Sequence, residues 1–408
     1  MSSASRWVWM VAGGVVLICA GRVAAQDWPQ WRGTNRDGKV SGFAAPQTWP
    51  QQLTQRWRVI VGAGDATPAL VGDRLYAFGR QDANEVVLCL DAAAGKVLWE
   101  DRYPADFVVT GPAARHPGPR GSRAVADGKV CSMGVGGILS CLDAATGKVL
   151  WRKKSVEDYG GVDYRFDSSM SPFAGDGLCV VHVGGKGKGA ILALDLASGR
   201  SKWKWEGDAP ANSSPVAMTV QGAKQIVTFT AKALVGLSLS DGKLLWQVPF
   251  ELKNVNNITP VVDGDTVICI VEGKGLMAYR IEKQGDASAA VSLWANAELG
   301  ARFTTPVLKD GLLYGYGNTL YCASAKTGET LWADSARRGQ TAALVDAGPC
   351  LVALTGNSEL VAFKPNDKEY AELARIQFGQ TETWAHPILA GKRIFVRDQT
   401  TVTLWTLD

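Results

Sequence analysis

The residues of this chain that could do chemistry recur at one kind of position, just before a segment built as proline, an apolar pair and a Gly/Asp turn. They offer carboxylates, guanidinium groups, amides and aromatic rings, which are the groups that fix a ligand in a pocket. The candidate binding residues are Arg120, Arg123, Asp167, Asn257, Arg302, Trp384 and His386. Equivalent positions hold Asp65, Ser169, Ser213, Thr304 and Gln340. No triad, paired-carboxylate or metal-ligand spacing accompanies them, so the sequence assigns neither catalytic residues nor a metal site.

A second pattern shows which elements must position these residues. The tract LDAATGKVLW at 142–151 recurs as LDAAAGKVLW at 90–99, LDLASGRSKW at 194–203, LSLSDGKLLW at 237–246 and ASAKTGETLW at 323–332. Asp, Ser or Thr with a Gly favours a tight turn, and β-forming residues flank it. Self-similarity at this period is typical of repeat architectures.

Each tract follows one of the proline segments, so each repeat contains four short strands. Eight repeats predict an all-β, eight-bladed β-propeller. The chain stops at TVTLWTLD, where every other repeat turns into its Trp-bearing strand, and the missing strand is found in QRWRVIVG around Trp57. We therefore expect a propeller over residues 55–408 in which this N-terminal strand completes the last blade, preceded by an extended segment over 26–54.

In such a fold the candidate residues converge on one mouth of the central channel. Two long connections, 108–123 and 156–170, could lie over that mouth as a lid, because long loops in compact repeat folds are often functional. The ordinary interpretation, in which the ring of polar residues consists of solvated loop tips, stays open. The Gly-rich run 184–189 lacks the phosphate-loop spacing and is predicted to be a hairpin loop, and NRDG at 35–38 is predicted to be a turn.

Composition and the N-terminus set limits on location and partners. Residues 1–25 read as a signal peptide, with Arg6, an apolar core and small residues before Gln26, which predicts an exported protein cleaved near Ala25. Removing Arg6 and Arg22 from the formal net charge of +4 leaves +2, so no nucleic-acid partner is indicated. No second segment is long enough to span a membrane.

The seven cysteines beyond the leader all fall in predicted strands, where cysteine commonly serves as a small apolar side chain. Cys131 and Cys141 flank GVGG symmetrically, so a disulfide across a hairpin stays open.

The repeat resembles the tryptophan-docking repeat of the pyrroloquinoline quinone (PQQ) β-propellers. Residues 27–408 are similar to the exported PQQ-repeat propellers of planctomycete type, with WPQWRGTNRDG (28–38), GPRGSRAVADGKV (118–130) and WAHPILAGKRIFVRDQ (384–399) as the best matches. The resemblance implies the fold; it does not by itself imply an activity.

Two relatives imply different functions. The propeller lipoprotein of the outer-membrane β-barrel assembly machinery implies a non-catalytic scaffold of the cell envelope, which binds a partner protein or small ligand at the channel mouth. The quinoprotein alcohol dehydrogenases imply an oxidoreductase with PQQ and Ca²⁺ in that mouth. The chain lacks the adjacent cysteine pair of the dehydrogenases and the lipid-attachment motif of the lipoprotein. We expect the scaffold, with the dehydrogenase as the alternative.

Overall fold

The computed structural model describes residues 27–105, 107–154, 157–162, 169–185, 187–250, 256–285, 287–301 and 303–408. The predicted signal peptide and the candidate residues Asp167 and Arg302 lie outside these ranges. Within them, no helix is both long and apolar enough to cross a membrane.

Eight four-stranded antiparallel sheets form the blades of a β-propeller, as the repeats predict. Blade 1 is β2 (Ala69–Val71), β3 (Arg74–Gln81), β4 (Asn84–Asp91) and β5 (Val97–Pro104), and blade 2 is β6 (Ala124–Ala126), β7 (Lys129–Met133), β8 (Ile138–Asp143) and β9 (Val149–Lys154). Blade 3 is β10 (Phe173–Gly175), β11 (Leu178–Gly185), β12 (Lys188–Asp195) and β13 (Ser201–Gly207), and blade 4 is β14 (Val216–Val220), β15 (Ala223–Phe229), β16 (Ala233–Ser238) and β17 (Leu244–Pro249).

The remaining blades follow the same order from the channel outwards. Blade 5 is β18 (Val261–Asp263), β19 (Thr266–Val271), β20 (Gly275–Gln284) and β21 (Ala287–Asn296), and blade 6 is β22 (Val307–Lys309), β23 (Leu312–Tyr316), β24 (Leu320–Ser324) and β25 (Thr330–Ala333). Blade 7 is β26 (Ala342–Asp346), β27 (Leu351–Thr355), β28 (Glu359–Phe363) and β29 (Glu372–Gln377), and blade 8 is β30 (Ile388–Ala390), β31 (Arg393–Arg397), β32 (Thr401–Thr406) and β1 (Thr54–Ile60). Two short 3-10 helices, Gly111–Arg115 and Glu157–Tyr159, lie in the long connections.

The chain ends close the ring as predicted. β1 pairs antiparallel with β32, from Thr54 opposite Thr406 to Ile60 opposite Thr401. The N-terminal strand thus becomes the outer strand of a blade whose other three strands come from the C-terminus. Closure removes the exposed first and last sheets that an open array would leave.

Tryptophan and glycine of the repeat meet between neighbouring blades. A Cβ atom on Gly147 would lie 2.6 Å from the ring of Trp99, and the φ angle of this glycine is +74°. The position therefore requires glycine both for its backbone conformation and for the space that the ring occupies. The same contact recurs at the pairs Trp57–Gly95, Trp99–Gly147, Trp151–Gly199, Trp203–Gly242 and Trp294–Gly328.

Each of these rings also makes a hydrogen bond into the same turn. Trp151 Nε1 donates to the carbonyl of Leu196 at 3.0 Å, and Trp203 Nε1 donates to that of Leu239 at 2.9 Å. A buried indole N–H needs such an acceptor, so the turn supplies a flat surface and a carbonyl at once.

The contact changes where the next blade lacks the glycine turn. Trp332 of blade 6 keeps only the hydrogen bond, donating at 2.9 Å to the carbonyl of Asn366 in the glycine-free turn of blade 7. In blade 5, β20 and β21 form a long hairpin of two ten-residue strands, and Trp246 of blade 4 instead donates to Gln225 Oε1 of its own blade at 2.7 Å. In blade 8 the turn is replaced by the chain ends, and the outer strand of blade 7 carries no tryptophan.

This geometry predicts different costs for two tryptophans of one strand. Trp203 is buried against Gly242 of blade 4, whereas Trp205, two residues later in β13, is only half-buried and lies over Gly207 of its own strand. Trp203→Ala should lower the free energy of unfolding by about 3–5 kcal/mol, because both a large apolar contact and a buried hydrogen bond are lost. Trp205→Ala should cost less than half as much. Denaturant unfolding of both variants measures the difference, and equal losses would contradict the role given to the inter-blade contact.

Candidate functional site

The inner strands begin at a ring of hydroxyl side chains on one face of the propeller, called the mouth face below. Each hydroxyl accepts a backbone N–H from the neighbouring blade, which fixes the starts of the inner strands relative to one another. The bonds run from Ser122 N to Ser171 Oγ (2.9 Å), Ser171 N to Ser214 Oγ (3.0 Å), Thr259 N to Thr305 Oγ1 (3.1 Å) and His386 N to Thr67 Oγ1 (2.9 Å).

The N-terminal segment, residues 27–44, occupies the central channel and is called the plug. It begins at the face opposite the mouth face, where Asp27 Oδ1 accepts the N–H of Gly72 at 2.8 Å. It leaves the channel at that same opposite face, where Ala44 N donates to Gly391 O at 3.0 Å. Between these points it contacts the inner strand, or the residues just before it, in seven of the eight blades. The contacts are Trp28–Leu70, Pro29–Val125, Arg36–Ser171, Trp31–Thr259, Arg32–Thr305, Val40–Asp346 and Trp31–His386.

Two arginines hold the plug through backbone carbonyls. Arg32 donates to the carbonyls of Thr305 and Pro306 at 2.8 and 2.7 Å. Arg36 donates to those of Pro172 and Ser171 at 2.7 and 2.9 Å. Burial lowers the pKa of Arg32 to about 10, against the opposing effect of Asp37, and that of Arg36 to about 9. Both side chains therefore stay protonated at neutral pH and keep all their donors.

His386, a predicted binding residue, packs against the plug and is only 5% exposed. Its ring lies edge-on to that of Trp31 at 4.7 Å between centroids and 6.4 Å from that of Trp28. Neither ring nitrogen has a hydrogen-bond partner among the described residues. Burial, and secondarily the charge of Arg32, lowers its pKa well below the ordinary value, so the ring is neutral.

Trp384, the other aromatic candidate, lies at the mouth and is half-buried. Its ring meets those of His116 and Phe303 in edge-to-face geometry, at 5.1 and 5.0 Å between centroids. His116 Nδ1 lies 2.8 Å from Asp65 Oδ2, so an ion pair or hydrogen bond fixes the histidine beside the tryptophan. These residues come from blades 1, 6 and 8 and from the connection after blade 1, which makes them the assembled part of the mouth.

The two long connections differ in what they reach. Connection 108–123 brings His116 to Trp384, and Arg80 anchors its approach by donating to the carbonyls of Phe107 and Pro117 at 3.1 and 3.3 Å. In connection 156–170, Gly160 lies against the β11–β12 turn of blade 3, and residues 163–168 lie outside the described ranges. The lid stays a prediction. The first connection contacts Trp384, and the second meets the first where the carbonyl of Met170 lies against Gly121.

The other candidates occupy three different surroundings. Arg120 is half-buried near Asp65; burial lowers its pKa to about 10 and Asp65 opposes that effect. Arg123 is fully buried, donates to the carbonyl of Tyr76 and lies 5.4 Å from the Phe78 ring centroid, in the wall between blades 1 and 2. Asn257 is half-buried beside Asn256, whose amide bonds the carbonyl of Ile270.

Smaller sequence predictions can be placed as well. Within the run 184–189, β11 and β12 pair as a hairpin with Gly184 opposite Gly189, and residue 186 lies outside the described ranges. His182 is a buried residue of β11. No group of three or more His, Cys, Asp or Glu side chains is placed to hold a metal ion within the described ranges.

The plug was not predicted from the sequence. Its signal was WPQWRGTNRDG, a segment dense in Trp, Arg and Gly that belongs to no repeat.

Comparisons with known proteins agree with the fold. The sequence profile of the family described as "Outer membrane protein assembly factor BamB" matches residues 83–334. The chain is similar to outer membrane protein assembly factor BamB of Burkholderia pseudomallei, with 26% identity over 367 residues that cover 85% of this chain and 86% of the relative. It is also similar to the protein of that description from Yersinia pestis, with 24% identity and 70% of each chain covered.

Two solved structures share the architecture. BamB from Moraxella catarrhalis superimposes with a TM-score of 0.61 at 17% identity and covers 87% of this chain and 97% of its own. Quinohemoprotein alcohol dehydrogenase from Comamonas testosteroni gives a TM-score of 0.63 at 15% identity, with 93% and 80% covered. At these identities the likeness shows the fold alone.

Neutral His386 predicts a pH dependence of stability. Its folded-state pKa lies below that of the unfolded chain, so the unfolded chain takes up a proton first as pH falls, and stability falls with it. Between pH 7.5 and pH 5 this residue alone should cost about 2 kcal/mol of unfolding free energy. His386→Phe should reduce the loss of unfolding free energy between the two pH values by about 2 kcal/mol. The contribution of His182, whose pKa burial lowers to about 4, should remain in this variant. Denaturant unfolding at the two pH values tests this, and an unchanged difference in the variant would contradict it.

Proposed function

Because the chain belongs to the family described as outer membrane protein assembly factor BamB, we propose that it is an exported, non-catalytic scaffold of the cell envelope that binds a partner protein during outer-membrane protein assembly. The signal peptide over residues 1–25, with cleavage near Ala25, would place it in the envelope. The partner would dock on the mouth face.

The observation that carries this proposal is the plug. The plug fills the channel with Trp28, Trp31, Arg32 and Arg36, and its two arginines use the carbonyls that line the channel. A ligand that needed the depth of the channel would have to displace these buried contacts. The surface left for recognition is the mouth face itself, where loops are free to differ without disturbing the blades.

The mouth face also carries exposed apolar side chains. Ile60, at the end of β1, is 74% exposed, Val108 in the first long connection is 77% exposed, and Phe303 beside Trp384 is 36% exposed. Large aliphatic and aromatic groups rimmed by charged residues are typical of protein-docking surfaces. Beside them, Asp65 and His116 form a mostly buried polar pair at 2.8 Å, and Arg120 is half-buried near Asp65. Trp384, held edge-to-face between two rings, is the rigid aromatic anchor that binding sites favour.

Site-specific photo-crosslinking tests the docking face. With benzoylphenylalanine in place of Val108 or Phe303, irradiation of intact cells should give adducts with one envelope protein. The same group in place of Val97, which is 44% exposed on the opposite face, should not give that adduct. Adducts from position 97 alone would place the partner on the other face and contradict the proposal.

Genetic complementation tests the assembly role separately. Deleting the gene should lower the amount of β-barrel proteins in the outer membrane several-fold, and both the wild-type chain and Val97→Asp should restore it. The double variant Val108→Asp/Phe303→Asp should fail at equal protein level, because two buried charges at an interface are costly. Unchanged barrel levels in the deletion strain would refute the assembly role. Full restoration by the double variant would refute only the choice of surface.

A further inference from the structure

Two cysteines of blade 2 face each other directly across neighbouring strands. Cys131 of β7 is the register partner of Cys141 of β8, and the two side chains are 1% and 0% exposed. In the β7–β8 hairpin, Gly134 N donates to Ile138 O at 2.9 Å, which marks that pair as hydrogen-bonded. Hydrogen-bonded and non-hydrogen-bonded pairs alternate along antiparallel strands, and the cysteines lie three pairs further along. They therefore form a non-hydrogen-bonded pair.

This type of pair suits a disulfide. Its Cα atoms approach to about 4.5 Å, closer than in the hydrogen-bonded type. Disulfides bridge Cα atoms that are about 4.4–6.8 Å apart, so the bond needs no movement of the backbone. The structure holds both residues as free thiols, and the register brings them together.

The same position in other blades gives an internal comparison. Cys89, Cys141 and Cys322 each pair with the outer-strand tryptophan of their own blade, so they occupy equivalent sites. On the other side Cys89 faces Tyr76 and Cys322 faces Tyr314. In these two blades the cysteine faces a tyrosine rather than a second thiol. Blade 2 differs because the facing residue is a second cysteine.

A third thiol lies close by, in the next blade. Hydrogen bonding with the thiols of Cys141 and then Cys179 raises the pKa of Cys131 well above its ordinary value. Cys179 belongs to β11 and pairs in its own sheet with Ala174 and Leu194. The hydrogen-bonded ladder fixes Cys131 against Cys141, whereas a bond to Cys179 would have to join two separate sheets.

We propose that Cys131 and Cys141 are a disulfide-forming pair that is oxidised as blade 2 folds in an oxidising compartment. The two thiols give up two protons and two electrons as the S–S bond forms, and a disulfide-carrying oxidant, a protein or glutathione disulfide, is reduced to two thiols. Burial of both sulfurs keeps that oxidant out once the blade is complete, so oxidation belongs to folding. The thiol of Cys141 then loses its 3.3 Å hydrogen bond to the carbonyl of Leu196, which Trp151 Nε1 still occupies.

A refolding experiment tests the pair without any partner protein. The chain from Gln26 is unfolded and reduced, refolded with reduced and oxidised glutathione, alkylated in denaturant without further reductant, and digested with trypsin. Residues 130–148 form one tryptic peptide that contains both cysteines and no other. We expect it to be lighter than the reduced peptide by two hydrogen atoms and to carry no alkyl group, and both changes should disappear after reduction.

Two variants separate this pair from its neighbour. Cys179→Ala should keep the bond within 130–148, and Cys131→Ala should leave Cys141 alkylated. Full alkylation of both cysteines in a sample with native circular dichroism would overturn the proposal. A peptide linking either residue to Cys179 would overturn the pairing. Neither result bears on the docking face, so failure here is distinguishable from failure of the proposed scaffold function.

Discussion

The contact between an outer-strand tryptophan and the glycine turn of the next blade is the interaction on which the ring depends. It couples apolar burial to a hydrogen bond, so it fixes both the distance and the direction between neighbouring sheets. Glycine is required because a Cβ atom at Gly147 or Gly199 would lie 2.6 Å from the ring that packs there. In blade 5 a long hairpin replaces the receiving turn, and Trp246 donates to its own blade instead; in blade 7 a turn without glycine still accepts the N–H of Trp332. The tryptophan of one blade and the turn of the next therefore depend on each other to fix the two sheets.

A ring of blades joined in this way encloses a central channel, and backbone carbonyl groups line the wall of that channel. The carbonyls just before the inner strands have no ladder partner, and buried carbonyls need donors. Arginine suits this task because its planar fork presents several donors and keeps its charge when buried. Arg32 and Arg36 bring these donors from the plug, and Arg397 does the same from blade 8, bonding the carbonyls of Gly62, Gly64 and Phe78. The plug thus completes the hydrogen bonding of the wall as well as filling it.

The parts of the structure that could be predicted from sequence are those that repeat. The blade count and the closing strand at Trp57 follow from register alone. The plug could not be predicted, because a segment that occurs once has no period and most of its partners are more than a hundred residues away. The directions in which the candidate side chains point could not be predicted from the sequence either. Trp384 and His386 stand two residues apart, yet one lies at the mouth and the other in the channel, because each follows its own tertiary contacts.

The same division is consistent with the docking role proposed for the mouth face. The blades are held together by the tryptophan contacts at the outer rim and by the plug in the channel. The connections over the mouth therefore contribute little to the stability of the ring. The connection after blade 1 is held instead by local contacts to its own neighbourhood. Glu85, whose pKa is raised by burial, accepts the N–H of Val135 and the hydroxyl of Tyr103, both at 2.7 Å, and so joins blade 1 to the turn of blade 2 beneath this connection. A loop anchored at its base by buried polar contacts can change at its tip, from Val108 to His116, without loosening the blades. Under the proposed docking role, recognition and stability would fall on different residues, so one propeller could keep its fold while its partner differs.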